Sequence, residues 1–400
     1  MYKRQIKRYR NIPFVLDVLA QNEANGVNPE SYEKIAKFIV DECSDLAQIL
    51  PVNYDNFSTK EKGRVTRAAA MALKSRVTLY MASPLFSEDS EDKWKQAAEA
   101  AYDIIKQKTD LGLDLVPYPQ IFNDVNNQKA EVILYRPTGE SGDFEKANFP
   151  IGVEGGKTST CPTQNLMEAY DMKDGTPFVW NNQSNPYDNR DPRMKYTIVC
   201  NEMKWPVDPV EIWEGGTNGL PLQNATTTGY YLKKYVNNTI SFEAGSTVTK
   251  KQHNWVLFRY GEILLNYAEA MINAFHDPNY KDAVYNMSAR EAVNQIRGRT
   301  NISLPGFPSD ITEKDFVKRL KNERRVELAF EGHRFWDVRR WKELGQTANI
   351  YGVKITKNNE VISYEKFLLE TRAVTDNMYF YPIPNTERFK NPNLGQNPGW

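Results

Sequence analysis

Glu327, Glu331, Arg334 and Val338 recur at spacings of four, three and four, which places them on one face of a helix. Two carboxylates beside an arginine admit an acid and a base for glycoside hydrolysis. The same residues admit a structural ion-pair network, in which arginine forks hold partly buried carboxylates and tie down the C-terminal segment. Carboxylates one helical turn apart do not face each other across a substrate. The network reading of Glu327, Glu331 and Arg334 is therefore preferred, and no catalytic residue is assigned.

Other polar chemistry is sparse. His253, His276 and His333 are far apart and form no H-E-x-x-H or H-x-H pattern, so they read as satisfied structural side chains. Cys43, Cys161 and Cys200 are an odd number without C-x-x-C spacing, and neither a metal site nor a disulfide framework follows. The glycines of Gly152–Gly156 and Gly215–Gly216 lack the Lys-Ser/Thr of a phosphate loop and the strand-to-helix setting of a dinucleotide fingerprint. They read as loops, and no cofactor is expected.

Aromatic residues in polar loop sequence are the stronger candidates. Glycan sites stack Trp or Tyr rings on sugar C–H faces and place Asn, Gln, Asp and Arg at the rim. Trp180, Tyr187, Trp205, Trp213, Tyr230 and Tyr231 lie outside any apolar helical stripe and are the candidate stacking platform. The competing reading makes several of them a satellite core beneath long loops.

Helical elements must carry these loops. Asn28 before Pro29 predicts a helix start, the stripe Ile35, Ile39, Cys43, Leu46, Leu50 continues it, and Pro51 stops it. Ser58 with Glu61 predicts the cap of an Ala-rich helix ending near Ala82, and Ser90 with Glu91 and Asp92 opens the next. A second hairpin is predicted from Trp255 to Phe275 and from about Lys281 to Arg297, with His276 to Tyr280 as its turn. Thr312 with Asp315 caps the charged helix. Small Ala residues facing large aromatics are how tetratricopeptide-like units pack, although the two hairpins stand too far apart in sequence for a tandem array. From about Arg136 to Asn254 Gly, Asn, Thr and Pro dominate, with strand-like runs at Tyr196–Cys200 and Gly229–Val236.

The last twenty residues, Y-P-I-P-N-T-E-R-F-K-N-P-N-L-G-Q-N-P-G-W, hold four prolines that argue against helix and for a rigid surface strap held by side chains. With E-R-R-V-E-L-A-F-E-G-H-R-F-W-D-V-R-R-W at Glu323–Trp341 they resemble the C-terminal signature of the SusD/RagB family. Those proteins are surface glycan-binding lipoproteins that work with a SusC-like TonB-dependent transporter in the outer membrane of Bacteroidota. K-R-Y-R-N-I-P-F at Lys7–Phe14, the segment Arg64–Tyr80, D-P-R-M at Asp191–Met194, Leu257–Ala270 and N-Q-I-R-G-R-T at Asn294–Thr300 are similar to further family blocks, in the family's order.

The resemblance implies a mainly α SusD-like fold with tetratricopeptide-like hairpins and a loop-rich, partly β insertion. Its expected divisions are a helical scaffold over 6–135, a loop-rich candidate glycan-binding region over 136–254, and a hairpin, charged helix and strap over 255–400. It implies no catalysis, an oligosaccharide ligand, a transporter partner and a cell-surface location. The family does not fix its sugar-contacting residues by a common motif, so none is carried over by position. The family's early helix and lipid-bearing Cys have no counterpart before Ile6, so the chain reads as lacking its N-terminal part, where any membrane anchor would lie. Met1–Gln5 match one reading frame of a common sequencing adapter and are set aside; a genuine internal start is the alternative.

Composition agrees without deciding. Fifty-one basic and 51 acidic residues leave no net field to attract nucleic acid or anionic lipid, and 40% hydrophobic content can bury a large core. No run of about 18 apolar residues occurs. Two rivals remain: a glycoside hydrolase, and a repeat scaffold that captures protein through exposed helix faces.

Overall fold

Ser31, Thr66, Ser90, Ser288 and Thr312 each accept a hydrogen bond from the backbone N–H three residues on, and each opens a helix. These caps belong to a computed structural model that describes residues 1–20, 22–54, 63–88, 90–124, 126–181, 185–243 and 249–400. The early helices are α1 (Tyr2–Tyr9), α2 (Tyr32–Ile49), α3 (Arg67–Ala82) and α4 (Glu91–Lys106). Short helices follow at α5 (Asp143–Asn148), α6 (Gln164–Met167) and α7 (Pro192–Thr197). The remainder are α8 (Tyr260–Phe275), α9 (Ala289–Arg297), α10 (Glu313–Glu327), α11 (Arg334–Arg340) and α12 (Asn385–Lys390).

The first and second hairpins, distant in sequence, stack in space. Helices α2, α3, α4, α8 and α9 pack each on the next, and α10 closes over α8. Helix α8 is the axis of this stack: of its sixteen residues all but Asn273 and Phe275 are buried. The hairpins meet through Tyr102 and Tyr267, whose rings stack at 5.4 Å, and through the Tyr102 hydroxyl, which donates to Asn286 at 2.6 Å. Alanines at 97, 98 and 101 on α4 and at 268 and 270 on α8 let the helices approach closely.

Several predicted boundaries move. Pro29 and Glu30 pair as β2 with β1 (Ile12–Pro13), and the cap of α2 is Ser31 rather than Asn28. Ser58 and Glu61 lie outside the described residues; Thr66 caps α3. The lower part of the α2 stripe is not buried, with Leu46 exposed while Ile35, Ile39 and Cys43 are covered. Met1–Gln5, set aside above, contribute the N-terminal half of α1, where the Tyr2 hydroxyl donates to the Val15 carbonyl. Trp255–Arg259 is a strand, not a helix start. Residues 281–288 form turns organised by Asp282, which accepts from the N–H groups of Val284 and Tyr285, and the capping box of Ser288 and Glu291 delays α9.

Sheets are small antiparallel pairs. β3 (Val132–Arg136) pairs with β8 (Trp255–Arg259), β4 (Glu140–Ser141) with β7 (Lys251–Gln252), and β5 (Ile198–Val199) with β6 (Tyr231–Leu232). A long hairpin absent from the sequence reading, β9 (Asn349–Asn358) with β10 (Val361–Thr371), turns at Asn359, which adopts φ 56°. Its Val353, Ile355 and Tyr364 cover a second core containing Tyr230, Tyr231 and Met194.

The C-terminal strap is held by side chains. Asn391 donates to the Val27 carbonyl at 2.8 Å and Asn393 to the Gly26 carbonyl at 2.7 Å, while Asn397 bonds the carbonyls of Tyr381 and Tyr9. The expectation that the prolines keep helix out of the strap fails: α12 fits between Pro384, where a missing N–H costs no helical bond, and Pro392.

Candidate functional site

The charged segment is not one helix. Phe330 at φ 59° and Gly332 at φ 79° occupy left-handed conformations that end α10 and restart the chain as α11. Glu327 and Glu331 therefore turn into a buried lattice while Arg334 leaves it. Arg259 Nη1 lies 2.8 Å from Glu327 and 2.7 Å from Glu131, and its Nε lies 2.7 Å from Glu331. Arg193 and Arg299 reach Glu327 at 2.8 and 2.9 Å, and Arg193 continues to Asp191 and Glu323. Gly261 makes room for this lattice: a Cβ there would lie 2.4 Å from Arg259 Nη1.

Arg334, assigned above to the same network, is half-buried and donates instead to Gln346 at 2.7 Å. The error was the assumption of helical continuity. Three guanidiniums around Glu327 hold its carboxyl far below the ordinary range against the opposing effect of burial, and Arg259 with Lys234 lowers that of Glu331 against the same opposition. A carboxylate so held cannot act as a general acid at neutral pH.

A cavity of about 400 Å³ opens beside this lattice. Tyr235 and Trp255 stack at 4.9 Å with an interplanar angle of 20°, and Trp255 is 39% exposed. Tyr235 adopts φ 68°, an outlier for a bulky residue and a conformation that the surrounding packing must impose. Phe122 packs edge-on to Tyr235 at 4.9 Å, Tyr196 forms a further wall, and the Lys233 ammonium covers one face of Trp205 at 4.8 Å. Asn237, Asn238, Gln252 and Asn254 supply a polar rim. Three buried polar atoms here, Trp205 Nε1, the Tyr235 hydroxyl and Asn254 Oδ1, have no hydrogen-bond partner among the described residues. Unsatisfied groups at a polar cavity are places for ligand hydroxyls or water.

The cavity's acid–base inventory is thin. Among its described lining residues Asp124 is the one carboxylate, and it pairs with Lys251 at 3.5 Å. His253 is bound to the buried Glu145 at 2.7 Å. His276 ends α8 in a left-handed conformation beside Glu313, and His333 is buried among Arg76 and Arg324, which with burial keep it well below its ordinary pKa. No cluster of metal-ligating side chains occurs among the described residues, and no described helix is long and apolar enough to cross a membrane.

The six aromatic candidates separate. Trp205 lines the cavity. Tyr230 and Tyr231 do not: both are fully buried in the second core, with the Tyr230 hydroxyl donating to Gln164 at 2.6 Å and that of Tyr231 to the Asn218 carbonyl. Gly229 delivers them there, at φ 83° and with a Cβ position only 2.5 Å from Val353. Tyr187 packs edge-on against Tyr230 and Tyr364, and Trp213 lies under Lys357 at 4.3 Å. Trp180 does not line the cavity either and meets Phe178, a wall of a different groove, edge-on at 6.4 Å. Tyr196, Tyr235 and Trp255 were missed. Tyr196 and Tyr235 sat inside predicted strands and Trp255 inside a predicted helix; closeness to the Asn237–Asn238 and His253–Asn254 pairs was the signal available for Tyr235 and Trp255, and Tyr196 had none.

A sequence profile of the SusD family matches residues 121–400, well over half of the chain. The chain belongs to the SusD family. Solved SusD-like structures agree: a SusD-like protein of Bacteroides fragilis, 26% identical, superposes with a TM-score of 0.80 over 100% of this chain and 77% of its own length. A second protein of B. fragilis, described as a SusD-like carbohydrate-binding protein, is also 26% identical with a TM-score of 0.80, covering 98% of this chain and 77% of that one. SusD-like protein P2 of Formosa agariphila is 29% identical over 163 residues, a match that spans 39% of this chain and 28% of that relative. The mainly helical SusD-like architecture expected from the sequence is the one observed.

Proposed function

We infer that this SusD-family protein binds an oligosaccharide without catalysis, in the cavity walled by Tyr196, Trp205 and Tyr235 and extended by Trp255, which stacks on Tyr235 beside it. The observation that carries this reading is the partly exposed Trp255, stacked on the cavity's Tyr235, beside a rim of carboxamides and three unsatisfied buried polar atoms. Such a surface suits the alternating C–H faces and hydroxyls of a sugar. The carbohydrate-binding description of a B. fragilis neighbour supports the same reading. Glycoside hydrolysis is disfavoured: it needs two carboxylates across a cleft, and the described wall supplies Asp124 alone. Family membership supports a cell-surface location, anchoring by lipid, and delivery of the captured glycan to a SusC-like TonB-dependent transporter.

A glycan array followed by affinity electrophoresis tests the ligand claim. Retention by a polysaccharide gel, lost on Trp255→Ala with no change in melting temperature and no release of reducing ends, supports it. Retention that survives Trp255→Ala and Tyr196→Ala together overturns the placement. Co-purification of the full-length protein with its transporter from outer membranes tests the delivery claim.

A further inference from the structure

A groove of about 510 Å³ between α10, the start of α11 and the 168–178 segment holds a concentration of positive charge in a chain with none overall. Its three carboxylates are already engaged: Glu168 with Lys366 at 2.8 Å, Asp171 with Arg297 at 3.3 Å, and Glu343 with Lys321 at 2.5 Å. Arg325 and Arg334 are not. Each makes one hydrogen bond to a neutral acceptor, Arg325 to the Asn165 carbonyl at 2.7 Å and Arg334 to Gln346 at 2.7 Å. Among the described residues neither has a carboxylate within 4.0 Å, and the same holds for the exposed Lys314 and Lys318 on the same wall.

Two guanidiniums facing one space without a counter-ion repel each other. Burial first, and Arg334 second, push the pKa of Arg325 down to about 10. The groove also has an apolar wall. Phe178, half-buried, is covered on one face by Arg190 at 3.6 Å and meets Trp180 edge-on. A planar fork for an oxyanion beside an aromatic ring is the chemistry that recognises a charged sugar.

We propose that this groove is a second ligand site, separate from the cavity at Trp255, which takes an acidic saccharide by pairing its carboxylate or sulfate with Arg325 and Arg334 and packing its ring on Phe178. The proposal does not depend on the cavity, because no residue lines both.

Calorimetry at constant ionic strength with trigalacturonate, a sulfated disaccharide, a neutral trisaccharide and inorganic sulfate tests it. At least one of the two acidic sugars should bind, and the neutral trisaccharide should not bind in the groove. Arg334→Gln, at a half-exposed position, should weaken the acidic sugar by about tenfold or more with the melting temperature unchanged. Arg325→Gln should do the same, Phe178→Ala should weaken the sugar but not sulfate, and Trp255→Ala should leave acidic-sugar binding intact. Binding unaffected by either arginine variant, or failure of both acidic sugars to bind, overturns the site. Sulfate binding as tightly as the sugars, with Phe178→Ala silent, reduces it to a free-anion site and overturns the saccharide assignment.

Discussion

The Lys234 ammonium lies 2.9 Å from Glu331, and both side chains are closed to solvent. Lys234 also donates to the Tyr118 hydroxyl at 2.9 Å and sits 4.0 Å over the Phe122 ring, so one residue joins the cavity wall to the charged lattice behind it. Burial pulls its pKa down to about 8, against the pull of Glu331 in the other direction. The lattice thus fixes the wall without presenting a free carboxylate to a ligand.

Removing the hub of that lattice should be costly. Arg259→Met leaves Glu131, Glu327 and Glu331 short of a cation, and a loss on the order of 3 to 5 kcal/mol is expected in denaturant unfolding. Arg334→Ala, outside the lattice, should cost less than about 1 kcal/mol. Equal losses in the two variants would contradict the division between the lattice and the groove.

Acid should dismantle the same lattice. Glu262, Glu269, Glu323, Glu327, Glu331 and Asp337 all titrate below their ordinary values, held down by arginines despite burial. A carboxylate with a lowered folded pKa binds protons less readily than the unfolded chain does. Its stabilisation is complete above the unfolded value of about 4.5 and is lost as pH falls below it. Asp171, raised to about 6 chiefly by burial, acts in the opposite sense between its ordinary value of 3.8 and pH 6. Unfolding midpoints measured against pH should therefore fall steeply below about pH 4.5; a flat profile there would refute the pairing.

Aromatic substitutions should separate platform from core. Trp255→Ala should weaken glycan retention by about 1 to 3 kcal/mol and leave melting unchanged. Tyr230→Ala, fully buried, should instead lose about 3 to 5 kcal/mol of stability. Tyr230→Phe isolates the hydroxyl: Gln164 Oε1 would be stranded in the core, at about 1 to 3 kcal/mol. Calorimetric melting and affinity gels on the three variants read both quantities.

Gly229→Ala should destabilise the second core. Its φ of 83° and the 2.5 Å approach of a Cβ to Val353 leave no relaxed position for the methyl group. Thermal melting below wild type by several degrees is expected, with helical circular dichroism retained below the transition.

What the sequence shows plainly is local. The caps at Ser90 and Thr312 are contacts over three residues, and the helices they open lie where their spacing places them. The partners of Glu327 and Glu331 are not local: Arg193, Lys234, Arg259 and Arg299 come from four separate segments, and no periodicity joins them. The break at Phe330 and Gly332 was hidden because helical spacing of charges continues across it. Tyr230 and Tyr231 looked like loop aromatics because the β9–β10 hairpin that covers them follows more than a hundred residues later. The cavity beside Trp255 likewise draws on segments near 122, 196, 205, 235 and 252, each unremarkable alone.

The strap has a consequence for the order in which this molecule can be completed. Asn393 and Gly26 are 367 residues apart, yet their hydrogen bond is one of those that fasten the strap. A ribosome releases the Gly26 end long before it makes Asn393, so the early loop must wait with its carbonyls facing water while the helical stack assembles behind it. The latch closes last, and a chain arrested a few codons short would carry its scaffold intact with its seam open.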